Sequence, residues 1–179
     1  MGESDFLPDM GRPEGRFRPI DVSWLFPDAD RMLCVELVVM RLQADSIYKP
    51  TSKDQHWMIS WNLGDTADGR VVRRRLHLVR EIGAEHLTNW GAVTTSSNAD
   101  IELDGVVLPI THMTLVQRRA LEEIGNSTGV RRPDGRWNCQ DWCQTVLENA
   151  VQKGLIQQLE MERAITEGQA TQPRPHAPC

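Results

Sequence analysis

No apolar stretch in this chain of 179 residues approaches the roughly 18–20 residues that a bilayer-crossing helix needs. Met1 to Pro8 carry acidic residues and no apolar signal region, so a secretory peptide is not expected. Four cysteines (Cys34, Cys139, Cys143 and Cys179) are too few to form a disulfide scaffold at this length, and they predict a reduced, cytoplasmic protein. Cys179 is not set in the carboxyl-terminal pattern that directs prenylation. A basic excess is also missing: 20 Lys and Arg face 25 Asp and Glu, for a formal charge of -5. That balance argues against a nucleic-acid partner, and the run Arg73-Arg74-Arg75 reads as a solvated strand face. There is no phosphate-binding glycine loop, serine-hydrolase elbow, kinase signature or internal repeat, and no cofactor is implied.

What is present fits one ordinary globular domain, with 40% hydrophobic residues and enough chain for a core. Residues 1–30, with Pro8, Pro13, Pro19 and Pro27, read as an irregular arm pinned by Trp24, Leu25 and Phe26. A single domain is expected over 31–168. Met32 to Met40 is an apolar run rich in β-branched residues and predicts a buried strand, with Cys34 as core. Gln55 to Asn62 alternates, so that Trp57, Ile59 and Trp61 share one face and His56, Met58 and Ser60 the other. Val71 to Val79 predicts its hairpin partner, with Arg73, Arg75 and His77 on one face. The stretch from Trp90 to Asn98 is less regular, and Ile101 to Leu108 suggests a further strand or tight hairpin.

The second half is helical. Thr114 caps a segment from about Leu115 to Ile124, with Gly125-Asn126 as its stop. A helix from Cys139 to about Lys153 carries an apolar stripe of Cys139, Trp142, Cys143, Val146, Ala150 and Val151, and Gly154 ends it. A further helix is expected over Leu155 to Glu167, and 169–179 as a disordered tail. Strands first and helices later predict an α+β fold, an antiparallel sheet packed on the Cys139 helix.

The stretch Trp137-Asn138-Cys139-Gln140-Asp141-Trp142 is the chemically richest. Asn138 is a preferred helix N-cap, and Asp141 resembles the partner that completes a capping box. Cys139 then falls in the first turn, where unpaired amides and the helix dipole favour an anion. A thiol there can have a lowered pKa and act as a nucleophile, although cysteine is equally at home in a core. A nucleophile needs a base and a group that orients it. Of the five histidines, His176 lies in the tail, and His86 and His112 fall in weakly patterned segments. His56 and His77 remain, each on a predicted strand.

The order of motifs resembles the circularly permuted branch of the papain-like NlpC/P60 superfamily, with the lecithin:retinol acyltransferase-like proteins closest in layout. The shared features are a strand opening His56-Trp57-x-Ile59-x-Trp61, a second strand with His77, and Asn138-Cys139 opening a helix. The resemblance covers roughly residues 56–154. It implies a permuted papain-like fold with Cys139 as the acyl-accepting nucleophile, His56 as the base and His77 as the group that orients it. It also implies that the Cys139 amide contributes to an oxyanion hole. This chain departs from that pattern, with Gln140-Asp141 in place of a Glu-His pair, Trp57-Met58 in place of Tyr-Gly, and no membrane anchor. The Trp-Asn-Cys-x-x-Trp start is also similar to that of small uncharacterised fungal proteins, which lend no function.

These features lead to an expected cysteine-dependent hydrolase or acyltransferase, acting on an amide, ester or thioester of a small-molecule or acyl substrate. Trp57, Trp137, Asn138 and Trp142 are the pocket candidates. Two other readings exist. Cys139 and Cys143 stand one helical turn apart and could bind a metal with a histidine, but no second Cys pair at finger-like spacing supports this. Alternatively the fold serves as a non-catalytic small-molecule or protein-binding domain, with tryptophans lining an apolar pocket.

Overall fold

The computed structural model describes residues 5–15, 17–45, 47–98 and 105–175. Among the described residues, seven strands and three α-helices make an α+β fold. In chain order they are β1 (Leu33–Met40), β2 (His56–Asp65), β3 (Arg70–Leu76), β4 (Leu78–Arg80), β5 (Leu87–Asn89), β6 (Val93–Asn98) and β7 (Gly105–Met113), followed by α1 (Leu115–Ser127), α2 (Cys139–Gln152) and α3 (Gln158–Ala170). Five strands form an antiparallel sheet in the order β6-β3-β2-β1-β7, and β4 pairs with β5 in a separate ribbon.

The run of β1 occupies the sheet's interior because it is apolar apart from Glu36. Val35, Leu37 and Val39 face the helices and are fully buried. On β2 the alternation is as expected: Trp57, Ile59 and Trp61 join the core with α2 residues Trp142, Cys143, Val146 and Leu147. The buried stripe of α2 also includes Cys139 and Ala150, while Val151 is only partly covered. Gly168 of α3 lets the helix lie directly on the Trp57 ring, since a Cβ there would stand 2.8 Å from it.

Several boundaries differ from the sequence expectations. The irregular stretch resolves into β6, whose Thr and Ser residues pair with the arginines of β3. The hairpin partner of β2 breaks at His77 into β3 and β4. β7 runs from Gly105 to Met113, and residues 101–104 of the anticipated strand lie outside the described residues. The last helix begins and ends three residues later than expected.

The arginine run is a correction, since Arg73 and Arg74 are buried. Arg74 points to the helices and pairs with Glu122 of α1 at 3.0 Å and Asp21 at 3.4 Å. Arg73, on the other face, meets Glu36 and Ser60. Carboxylates from distant segments made this burial possible, and no local pattern announces them.

The arm is a second correction. Trp24 is 80% exposed and Leu25 53% exposed, so they do not pin it. Two aspartates do. Asp21 accepts the Thr94 amide at 3.2 Å. Asp28 is clasped by Arg118, through Nη2 at 2.7 Å and Nε at 3.0 Å, and by the Trp61 indole at 2.9 Å. The tail is a third. Helix α3 continues to Ala170, and Arg174 exchanges main-chain bonds with Leu42 and Ala44, so 169–175 is ordered by unpaired backbone beyond β1. Residues 176–179, with His176 and Cys179, lie outside the described residues.

Candidate functional site

The loop leading into α2 is shaped by Asp134, whose carboxylate accepts the Arg136 and Trp137 amides at 2.8 and 2.7 Å. Gly135 follows it at φ 75°, a left-handed conformation that favours glycine. Asn138 then caps the helix. Its side chain accepts the Gln140 amide at 2.8 Å, and Asp141 accepts the Asn138 amide at 2.9 Å, completing the capping box. The helix head is also clamped to the turn before β2. Gln140 donates to the carbonyls of Ser52 at 2.7 Å and Gln55 at 3.0 Å, and Asn138 donates to that of Lys53 at 3.2 Å. Gln140, a departure from the resembled motif, thus holds α2 against the start of β2.

Cys139 stands in the first turn and is 8% exposed. Its thiol points at the Gln55 carbonyl, 3.9 Å away. Burial pushes this thiol up from its ordinary pKa, and the nearby Asp141 charge adds to the effect. The amides of Trp57, Cys139 and Gln140 act in the opposite direction without reversing it. The dipole and first-turn amides therefore lose to desolvation, and the group is a protonated thiol at neutral pH. Cys143 is fully buried and raised further.

His56 and His77 do come together: His56 Nε2 lies 3.1 Å from His77 Nδ1, with the rings edge to face. Burial, then the charge of Arg75, lowers His56 to about 4. Burial, then His56 and Arg75, lowers His77 to about 3. Both rings are neutral at pH 7. Strand alternation sends His56 to the face opposite Trp57, whereas Cys139 belongs to the core cluster on the Trp57 side. Among the described residues no hydrogen bond joins Cys139 to either imidazole.

Cys139 instead opens onto a cleft of about 400 Å³ between the head of α2 and the β4–β5 ribbon. Trp137, Asn138 and Leu87 also line it, with His86 on the ribbon side. His86 Nε2 lies 2.9 Å from the Gly11 carbonyl, which also accepts the Thr88 hydroxyl at 3.0 Å. Sequence reasoning passed over His86 because its segment has no period and its partner sits 75 residues upstream. Of the pocket candidates, Trp137 and Asn138 line this cleft. Trp57 and Trp142 are core residues, 1% and 0% exposed, and the Trp142 indole donates to the Thr128 carbonyl.

Cys34, Cys139 and Cys143 are free thiols, and no described group of three His, Cys, Asp or Glu is arranged to hold a metal. No described helix is long and apolar enough to cross a membrane. No family model, curated protein or solved structure matches this chain.

Proposed function

We propose that this chain is a small-molecule-binding domain whose ligand seats in the cleft at the head of α2. One observation carries the reading. The cleft is preformed, with Trp137 and Leu87 as apolar walls and Cys139 at its edge, while the thiol is protonated and bonded to main chain rather than to an imidazole. A thiol raised above its usual value and an imidazole lowered to about 4 do not exchange a proton readily, because each pKa unit of mismatch costs about 1.4 kcal/mol. The lining is mixed, with Lys53, Arg80, Arg131 and Arg136 beside the apolar Trp137 and Leu87, and a preformed concavity with convergent polar groups can orient a small molecule. The free cysteines favour a reducing, cytoplasmic setting.

A second reading keeps the cysteine chemistry, in a permuted papain-like arrangement, and rests on the placement of Cys139 in the first turn of α2. There its sulfur could attack an acyl group while the first-turn amides receive the oxyanion. His56, paired with His77 on the opposite face of the sheet, would reach the sulfur only if the start of β2 rearranged.

Intact mass spectrometry after incubation with a small activated thioester separates the two readings. The binding domain predicts no acyl adduct on Cys139 beyond that of the unfolded chain. A stoichiometric adduct that forms within minutes, and is lost in Cys139→Ser and His56→Gln, would replace it with the enzyme.

A further inference from the structure

The charges around the cleft identify its ligand more narrowly. Lys53 on the turn before β2, Arg80 at the end of β4, and Arg131 and Arg136 in the loop before α2 all line it. Among the described residues none of the four side chains forms an ion pair or a hydrogen bond; Arg131 lies over the Phe6 ring at 5.9 Å. Two carboxylates share the lining, Asp54 and Glu85. Asp54 is already occupied, accepting both the Thr51 amide and hydroxyl at 2.7 Å. Both carboxylates keep their charge, so a chain of formal charge -5 has gathered four cations from three separate segments against two anions in this lining, with Asp134 also acting on Arg131. The positive end of α2, a helix of 14 residues, adds to the same field. Like charges around one concavity repel, and the field is focused by its low-dielectric walls until an anion enters. Guanidinium groups match carboxylate and phosphate oxygens in pairs.

We infer that the ligand of this cleft carries an oxyanion, a carboxylate or phosphate ester, joined to a short apolar body that lies against Trp137 and Leu87. The inference rests on the binding reading above and names its ligand class.

Paired alkylation of Cys139 tests it without knowing the ligand. Iodoacetate and iodoacetamide form the same sulfur–carbon bond and expel the same iodide, and the thiol proton leaves to buffer. They differ only in the charge of the incoming reagent. Rates are followed by peptide mass spectrometry at about pH 9, where part of the thiol population ionises and the arginines stay charged. The iodoacetate-to-iodoacetamide ratio at Cys139 in the folded protein is expected to exceed that in the urea-unfolded chain by on the order of tenfold. The excess should collapse in about 1 M KCl, where screening acts within roughly 3 Å, and should fall in the double variant Arg131→Gln, Arg136→Gln. Acetate and inorganic phosphate, added at equal ionic strength, distinguish the two oxyanions by which better slows iodoacetamide. A folded ratio equal to the unfolded one, and indifferent to salt, overturns the oxyanion while leaving the cleft in place. If neither reagent reaches Cys139 in the folded protein, the cleft reading itself fails.

Discussion

Replacing Asp28 by alanine would remove the partner of one of the most completely satisfied groups in the fold. Arg118 is fully buried, and its donors are all engaged. Nε and one Nη2 proton go to Asp28, at 3.0 and 2.7 Å, and the other Nη2 proton goes to the Ala29 carbonyl at 2.8 Å. Nη1 serves the carbonyls of Arg31 and Met113 at 2.8 and 2.7 Å. The Trp61 indole also donates to Asp28, at 2.9 Å, from a ring that is 0% exposed. Asp28→Ala leaves a buried cation without its counter-charge and an indole N–H without an acceptor. Breaking such a pair from one side costs about 3–5 kcal/mol. For a chain of this size each kcal/mol lowers the midpoint by about 2–4 °C, so a drop of about 6–20 °C is expected in thermal melts followed by circular dichroism. The double variant Asp28→Leu, Arg118→Met should recover much of the loss, because the desolvated charges disappear together. A midpoint within about 1–2 °C of wild type for Asp28→Ala, less than the smallest cost assigned to such a break, would show that the arm does not hold Arg118 in solution and that the ion pair is dispensable.

Other outcomes follow from the same reasoning. Because His56 and His77 are lowered to about 4 and about 3 from 6.5, the unfolded chain binds more protons than the fold between those limits. Their contribution is fully present above pH 6.5, is lost as pH falls through that window, and is about 3 kcal/mol for His56 alone. Urea unfolding at stepped pH should show this slope, and it should flatten in His77→Phe; an unflattened slope would assign the acid sensitivity elsewhere. Asn138→Ala should cost about 1 kcal/mol through the lost cap, and Trp142→Ala about 3–5 kcal/mol through the cavity left by a fully buried ring. An unchanged midpoint for Trp142→Ala would contradict its position in the core. Gly168→Ala should destabilise the protein, although alanine is the better helix former by about 1 kcal/mol, because its methyl would meet the Trp57 ring at 2.8 Å. A more stable variant would mean that α3 does not lie so close.

The sequence carried its periodic signals faithfully. Alternation on β2 separated Trp57, Ile59 and Trp61 from His56, Met58 and Ser60, and Asn138 with Asp141 marked the start of α2 to the residue. Those are local patterns, set by side-chain period and helix-end chemistry. Adjacent strands could bring His56 and His77 together, but only the structure shows that they meet. The features that were missed depend on partners far away in the chain. Arg74 looked solvent-facing until Glu122 and Asp21 supplied its charges. His86 gained its place through Gly11. The direction of the Cys139 shift was misjudged for a related reason. The helix dipole can be read from position, but burial depends on how the turn before β2 closes over the sulfur.

The clasp between Asp28 and Arg118 also bears on the order of events during synthesis. The arm leaves the ribosome before its anchors, Thr94 and Arg118, which emerge tens of residues later, and β1 must wait for β7 before its second edge is paired. Such long loops have to close before their contacts reward them, which slows folding. Until α1 appears, Asp28 lacks the Arg118 counter-charge and the apolar run of β1 remains uncovered by that helix, a state prone to association. A segment made before its anchors is therefore among the last to settle, and the cleft, whose ribbon side leans on Gly11 of that same arm, can be complete only after the arm has docked.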